Sequence, residues 1–238
     1  FREQLGLWEH QKYFIDLAFK EHKQPYGARY ILADQVGLGK TIQLAMSAQL
    51  MALHGEKPIL IIAPKTLLWQ WQGELNELLD LPSAVWDGRR WVDEQGLEYP
   101  NAGVKDITKC PRKIGIVSQG LFTANSKAVG YIMAKEYECV IVDEAHRSRR
   151  GNLGEGKENH APEMNNLYKH LVELSRKTHS MLLATATPIQ LYPLELWDLM
   201  NVLAQKNDSV LGSLSSYWRK PDKINEGLKA FSVISSPF

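Results

Sequence analysis

The chain has 238 residues, 44% of them hydrophobic and 23% charged, with 28 Lys+Arg against 27 Asp+Glu. That length carries one large domain, or a domain with a small appendage, and buries a core without help from disulfides or metals. Near-zero net charge announces no nucleic-acid partner, though a local basic patch stays open. The two cysteines, Cys110 before Pro111 and Cys139 in an apolar run, offer no disulfide framework or metal spacing, so a reducing compartment is the default. No apolar stretch approaches the ~18 residues of a membrane span and no signal peptide opens the chain, which points away from a membrane.

In chain order, a helical pattern from Trp8 to Phe19 comes first, followed by the short apolar run Tyr30 to Ala33. Apolar positions at Ile42, Ala45, Met46, Leu50 and Leu53 predict a helix closed by Gly55. Ile59 to Ala63 reads as a strand, and Leu67 to Leu79 as a helix that stops before Pro82. Residues 82–111, rich in Gly, Pro and charge, read as an insertion with little regular structure. Ile114 to Val117, Cys139 to Val142 and Met181 to Ala184 read as further strands; helices are expected near Lys127–Lys135, Glu163–Arg176 and Leu194–Ala204. Residues 147–162 are nearly free of apolar side chains and read as a mobile loop. Brief apolar runs without strict alternation, separated by helices, predict an α/β fold: a mostly parallel sheet, buried on both faces and flanked by helices.

Three strand ends carry chemistry. Gly37-Leu38-Gly39-Lys40-Thr41 follows a strand and opens a helix. Glycines there let backbone N–H groups close around phosphate oxygens, Lys40 reaches the outer phosphates and the Thr41 hydroxyl suits Mg²⁺. Asp34 stands where the full phosphate-loop pattern has its first glycine. Read alone, the segment also describes a glycine turn capping a strand-to-helix junction. Asp143-Glu144-Ala145-His146 ends the next informative strand at the sheet edge where ligands of such folds bind. Asp143 suits a Mg²⁺-bound water and Glu144 the attacking water; a solvated acidic pair at a helix start is the plainer reading. At the third end, Thr185 and Thr187 have hydroxyls that could bind those acids or a nucleic-acid strand, and Thr187 before Pro188 also reads as a helix cap.

Together, Asp34 to Thr41, Asp143 to His146 and Ala184-Thr-Ala-Thr-Pro-Ile-Gln190 resemble motifs I, II and III of helicase superfamily two, and most closely its Swi/Snf-type branch. Trp8-Glu9-His10-Gln11 resembles the glutamine motif, whose Gln reads adenine, here Gln11. Ile62 to Trp71 resembles motif Ia, which faces the nucleic-acid backbone and includes Lys65. Gln35 replaces the usual Glu, and Gln190-Leu191 the usual Gln-Asn. The resemblance implies a RecA-like P-loop lobe over residues 1–208, with 209–238 opening a helical protrusion or linker and a second lobe elsewhere in the same polypeptide. It further implies ATP and Mg²⁺ as cofactors, with Gln11, Gly37, Leu38, Gly39, Lys40 and Thr41 around the nucleotide. Double-stranded DNA is the implied track, and His146, Thr185, Thr187 and Lys65 the coupling or nucleic-acid residues. A hydrolysis-deficient scaffold and a strand-separating or RNA-directed helicase are the alternatives. Without the second lobe's arginine, the isolated chain is expected to hydrolyse ATP very slowly. The resemblance places the protein in the cytoplasm or nucleoid of a bacterium, or in a nucleus.

Smaller features have plain readings. Arg147, Arg149 and Arg150 read as a solvated charge run or as phosphate contacts. Trp69 and Trp71, two apart, cannot share a helix face. Tyr217 to Lys220 reads as a surface turn or the start of the protrusion. His10, His54, His160, His170 and His179 read as bystanders.

Overall fold

A computed structural model describes residues 6–151, 163–189 and 193–220. Helix α1 (Glu9–His22) leads into β1 (Arg29–Leu32), α2 (Lys40–His54), β2 (Ile59–Ala63) and α3 (Leu68–Leu79). Then come β3 (Ser83–Trp86), β4 (Trp91–Asp93), β5 (Ile114–Ser118), α4 (Gln119–Thr123), α5 (Lys127–Met133) and β6 (Tyr137–Val142). The two-residue strands β7 (Arg150–Gly151) and β8 (Glu163–Met164) pair with each other, before α6 (Asn166–Ser175), β9 (Thr178–Ala184), α7 (Pro193–Leu203) and α8 (Asp208–Leu211).

Among the described residues the main sheet has seven strands in the order β1-β9-β6-β2-β5-β3-β4, and only the β3–β4 pair is antiparallel. Side chains alternate across a strand, so β2 sends Ile59, Ile61 and Ala63 to one core and Leu60 and Ile62 to the other. Both faces are covered. Phe14 and Ala18 of α1, Leu44, Ala48 and Met51 of α2, and Trp71 and Leu75 of α3 pack on the first. Phe122, Ile132, Leu171 and Leu203, from α4 to α7, pack on the second. Two-sided burial is why these strands read as continuous apolar runs.

Two expectations are corrected. Residues 82–111 hold more regular structure than expected at their start, where β3 extends the sheet beside β5 and β4 closes it as a hairpin. All four residues of β3 are buried, but Pro82 and the polar turn Asp87-Gly88-Arg89-Arg90 flank a run too short to stand out in composition. Asp87 Oδ1 accepts from the N–H groups of Arg89 and Arg90 at 2.6 and 2.8 Å, which sets the turn. Trp86 and Trp91 then meet edge to face with centroids 5.5 Å apart, worth about 0.5–1.5 kcal/mol beyond burial. Second, the helix expected from Glu163 starts only at Asn166, because Asn165 caps it by accepting from the Tyr168 N–H at 2.8 Å.

The arginine run is not uniformly solvated either. Arg150 is buried and its guanidinium grips the buried Asp198 carboxylate of α7 at 2.6–3.1 Å, so it is unavailable to a phosphate. The rest of the loop reading, residues 152–162 with His160, lies outside the described residues, as do Gln190, Leu191 and the protrusion from residue 221 onward. Tyr217–Arg219 form a 3-10 turn, where Arg219 donates to the carbonyls of Ala204, Asn207 and Gly212. No helix among the described residues is long and apolar enough to cross a membrane.

Candidate nucleotide site

The register of the parallel strands levels their carboxyl ends. Leu32 of β1 lies beside Ala184 of β9, Val142 of β6 beside Leu183, and Ile62 of β2 beside both Val142 and Val117. The residues that follow each strand are thereby delivered to one edge. The three motifs converge there although the first and last lie more than 140 positions apart in sequence.

The loop after β1 turns on Gly37 and Gly39, at φ 88° and 73°. Gly39 is doubly constrained. Its backbone is left-handed, and a Cβ would sit 2.6 Å from Gln11 Nε2. Lys40 opens α2 and folds its ammonium back across the loop, donating to the carbonyls of Asp34 at 2.8 Å and Gln35 at 3.1 Å. The Asp34 carboxylate accepts from Gln43 Nε2 at 2.8 Å. Asp34, at the position where a glycine was looked for, thus braces the loop against α2. Thr41 is half-buried one residue further on. Gln11, near the start of α1, accepts from the Trp8 N–H at 3.0 Å and donates from Nε2 to the Leu38 carbonyl at 3.1 Å. One amide proton and one lone pair stay in reserve.

Asp143 follows β6, its N–H paired to the Ile62 carbonyl at 2.9 Å. One carboxylate oxygen accepts from Trp71 Nε1 and the other from the Glu144 N–H, each at 2.9 Å. Gln119 Nε2 donates to the Asp143 carbonyl at 2.5 Å. Glu144 sits in the left-handed region at φ 48°. A non-glycine residue held there costs about 1 kcal/mol or more, so the contacts around it over-determine the turn. His146 Nδ1 lies 3.1 Å from Glu144 Oε2 and 3.2 Å from Thr185 Oγ1. Thr185 is fully buried; its Oγ1 also accepts from the Thr187 N–H at 3.1 Å, and its own N–H donates to the Leu32 carbonyl. His146 therefore ties the acid pair to the β9 end.

Lys65 is exposed on a 3-10 turn after β2, at the same edge. Of the tryptophan pair, Trp69 is 51% exposed and Trp71 is buried, as their spacing required. Residue-type reasoning missed the tasks of Trp71 and Gln119. A buried indole N–H needs an acceptor, and that rule was the available signal for Trp71; Gln119 carried none.

The residues fit a magnesium polyphosphate. Backbone donors converge at a helix start beside an ammonium, and Asp143 keeps carboxylate lone pairs beyond its two hydrogen bonds, with the Thr41 hydroxyl as a second oxygen donor.

A model of the SNF2-related domain matches residues 10–226. RNA polymerase-associated protein RapA of Actinobacillus pleuropneumoniae serotype 3 is 31% identical over 173 residues, covering 72% of this chain and 17% of that protein. RapA of Pectobacterium atrosepticum is 31% identical over 169 residues, 71% of this chain and 16% of that protein. Among solved structures, a Sulfolobus solfataricus SWI2/SNF2 ATPase core in complex with dsDNA superposes with TM-score 0.65 at 23% identity, over 98% of this chain and 44% of that one. The Pyrococcus furiosus Hef helicase domain does so with TM-score 0.57 at 18% identity, over 85% of this chain and 37% of that one. The chain spans less than a fifth of the length of these curated relatives. With its RecA-like fold, the chain belongs to the SNF2-related family of helicase-like ATPase domains.

Proposed function

We propose that the chain is the ATP-binding lobe of a DNA-dependent ATPase that couples hydrolysis to movement along double-stranded DNA. The observation that carries this reading is the His146 bridge from Glu144 to Thr185, which links the acid pair to a second strand end on the edge where the phosphate-type loop lies. Lys40 and the loop N–H groups hold the ATP phosphates, and Gln11 meets the adenine with its remaining donor and acceptor. Thr41 and, through water, Asp143 would hold Mg²⁺, which would supply neutralisation of phosphate charge. Glu144 orients and deprotonates the attacking water. Trp71 and the Glu144 N–H fix the Asp143 carboxylate, so the acid needs no reorganisation. His146, Thr185 and Thr187 carry the state of the acid pair toward DNA, and Lys65 contacts its backbone.

The reading assigns residues 1–208 to the lobe and 209–238 to the start of a protrusion or linker. A second lobe of the same polypeptide supplies the arginine that the transition state needs. The archaeal core, which the chain matches over less than half its length, is a complex with double-stranded DNA, and that supports the choice of track.

The test is ATP hydrolysis by the full-length polypeptide with and without duplex DNA, beside Lys40→Ala and Glu144→Gln. Stimulation by duplex DNA, abolished by both substitutions, is the expected result. Stimulation only by single strands or RNA would overturn the track, and ATP binding without turnover would favour a scaffold.

A further inference from the structure

The opposite edge of the sheet carries a second cluster, made of groups the nucleotide site does not use. Glu138 of β6 and His179 of β9 stand across from each other, between the paired positions Tyr137↔Thr178 and Cys139↔Ser180. His22, the last residue of α1, meets the His179 ring edge to face with centroids 5.0 Å apart. One ring nitrogen from each imidazole and one Glu138 oxygen all lie within 4.8 Å of one another.

The hydrogen bonds around the cluster are those of metal-ligating histidines. His179 Nε2 is 2.7 Å from the His22 carbonyl, which can only accept; Nε2 therefore holds the proton and Nδ1 the lone pair. His22 Nδ1 is 2.7 Å from Ser180 Oγ, which also accepts from the Ala28 N–H at 2.8 Å. A ligating imidazole ordinarily gives its second N–H to a carbonyl or other acceptor; the His22 carbonyl serves His179, and Ser180 Oγ, with one lone pair beyond the bond from Ala28, can accept from His22 Nδ1. His22 Nε2 is what these contacts leave over. Its side chain is fully buried, and Nε2 makes no hydrogen bond, although Glu138 Oε1 lies 3.3 Å away.

The backbone makes room for the cluster. A Cβ at Gly55 would fall 2.0 Å from the Glu138 carboxyl carbon, and one at Gly27 would fall 2.0 Å from the His179 carbonyl oxygen. His54, exposed at the end of α2, flanks the open side with its ring centroid 5.7 Å from that of His22.

We propose that His22, His179 and Glu138 form a zinc site that ties α1 to the amino-terminal edge of β6 and β9. Two imidazoles and a carboxylate are a set that zinc takes in tetrahedral geometry, with a fourth position left for water. At Zn–N and Zn–O distances near 2.0–2.1 Å, ligand atoms stand about 3.3 Å apart. His22 Nε2 and Glu138 Oε1 already stand 3.3 Å apart, and with every pair within 4.8 Å no separation has to close by more than about 1.5 Å, within reach of side-chain rotation of the partly exposed Glu138 and His179. Chelation would pin the helix that carries Gln11 to the strands that carry Asp143 and Thr185.

The test is titration of the metal-stripped, nucleotide-free full-length polypeptide with Zn²⁺, and with Co²⁺ for its visible spectrum. The parent protein should bind one more equivalent than Glu138→Gln or His179→Ala, show tetrahedral cobalt bands that both variants lose, and melt higher with zinc. Asp143→Asn should retain that equivalent, which separates this site from the nucleotide edge. Both ligand variants keep the buried His22, and circular dichroism checks that they fold. Equal stoichiometry in the parent and both folded variants would overturn the proposal, as would loss of the equivalent in Asp143→Asn alone.

Discussion

The two edges of the central sheet are built of different material. At the carboxyl edge Lys40, Asp143 and Glu144 are half-buried and set by directed polar contacts, with Glu144 kept in a left-handed turn and Lys40 lying across its own loop. At the amino edge they are imidazoles in edge-to-face contact, with His22 fully buried. One edge is set by half-buried groups around a strained turn; the other is anchored on a fully buried imidazole with partly exposed neighbours. The difference teaches where the fold stores conformational freedom and where it spends apolar burial.

Four results would break or sharpen that contrast. The largest concerns the Arg150–Asp198 pair, the one fully directed ion pair buried on the carboxyl side among the described residues. Asp198→Ala leaves a buried guanidinium unpaired and should cost about 3–5 kcal/mol in denaturant unfolding. A loss under 1 kcal/mol would mean that Arg150 escapes to water.

Next comes acid. Burial first, and the neighbouring His179 second, lower His22 from its ordinary value to about 4. The unfolded chain therefore binds this proton more readily, and stability rises with pH between the two values. In chelator, the contribution should be complete above about pH 6.5 and fade toward pH 4, by on the order of 3 kcal/mol. A His22→Gln variant whose acid unfolding matches the parent would refute it.

Trp71→Phe keeps an aromatic ring in the core, at the cost of a small void, and removes the indole donor to Asp143. About 1 kcal/mol of stability should go, with turnover falling roughly tenfold and ATP affinity unchanged. Loss of affinity instead would place Trp71 in the nucleotide pocket rather than behind the acid. The smallest effect on stability is at Glu144→Asn. Asparagine tolerates the left-handed region, so stability should hold or rise by up to about 1 kcal/mol while hydrolysis disappears. A clear destabilisation would show that the Glu144–His146 contact outweighs the strain.

How much of this was legible depended on the kind of signal. The strands β2, β6 and β9 announced themselves because both faces are buried and the runs are continuous. The edge strands β3 and β4 did not, since four and three residues framed by Pro82, Gly88 and charge carry too little periodicity. Lys40, Thr41, Asp143 and Glu144 were readable because each follows a strand in a motif. The register of the sheet, which no local pattern reveals, brings them together. Trp71 to Asp143 and Arg150 to Asp198 are contacts across 72 and 48 positions and had no local signature. His179 read as a bystander because its neighbours His22 and Glu138 lie on two other elements, far from it in sequence.

The most direct test of the carboxyl edge is equilibrium binding of a fluorescent ATP analogue with Mg²⁺ to the parent, Lys40→Ala and Glu144→Gln. The account predicts that Glu144→Gln binds as the parent does while Lys40→Ala loses at least tenfold in affinity. Equal binding by all three would contradict it, because the phosphates would then lie somewhere other than the loop between β1 and α2.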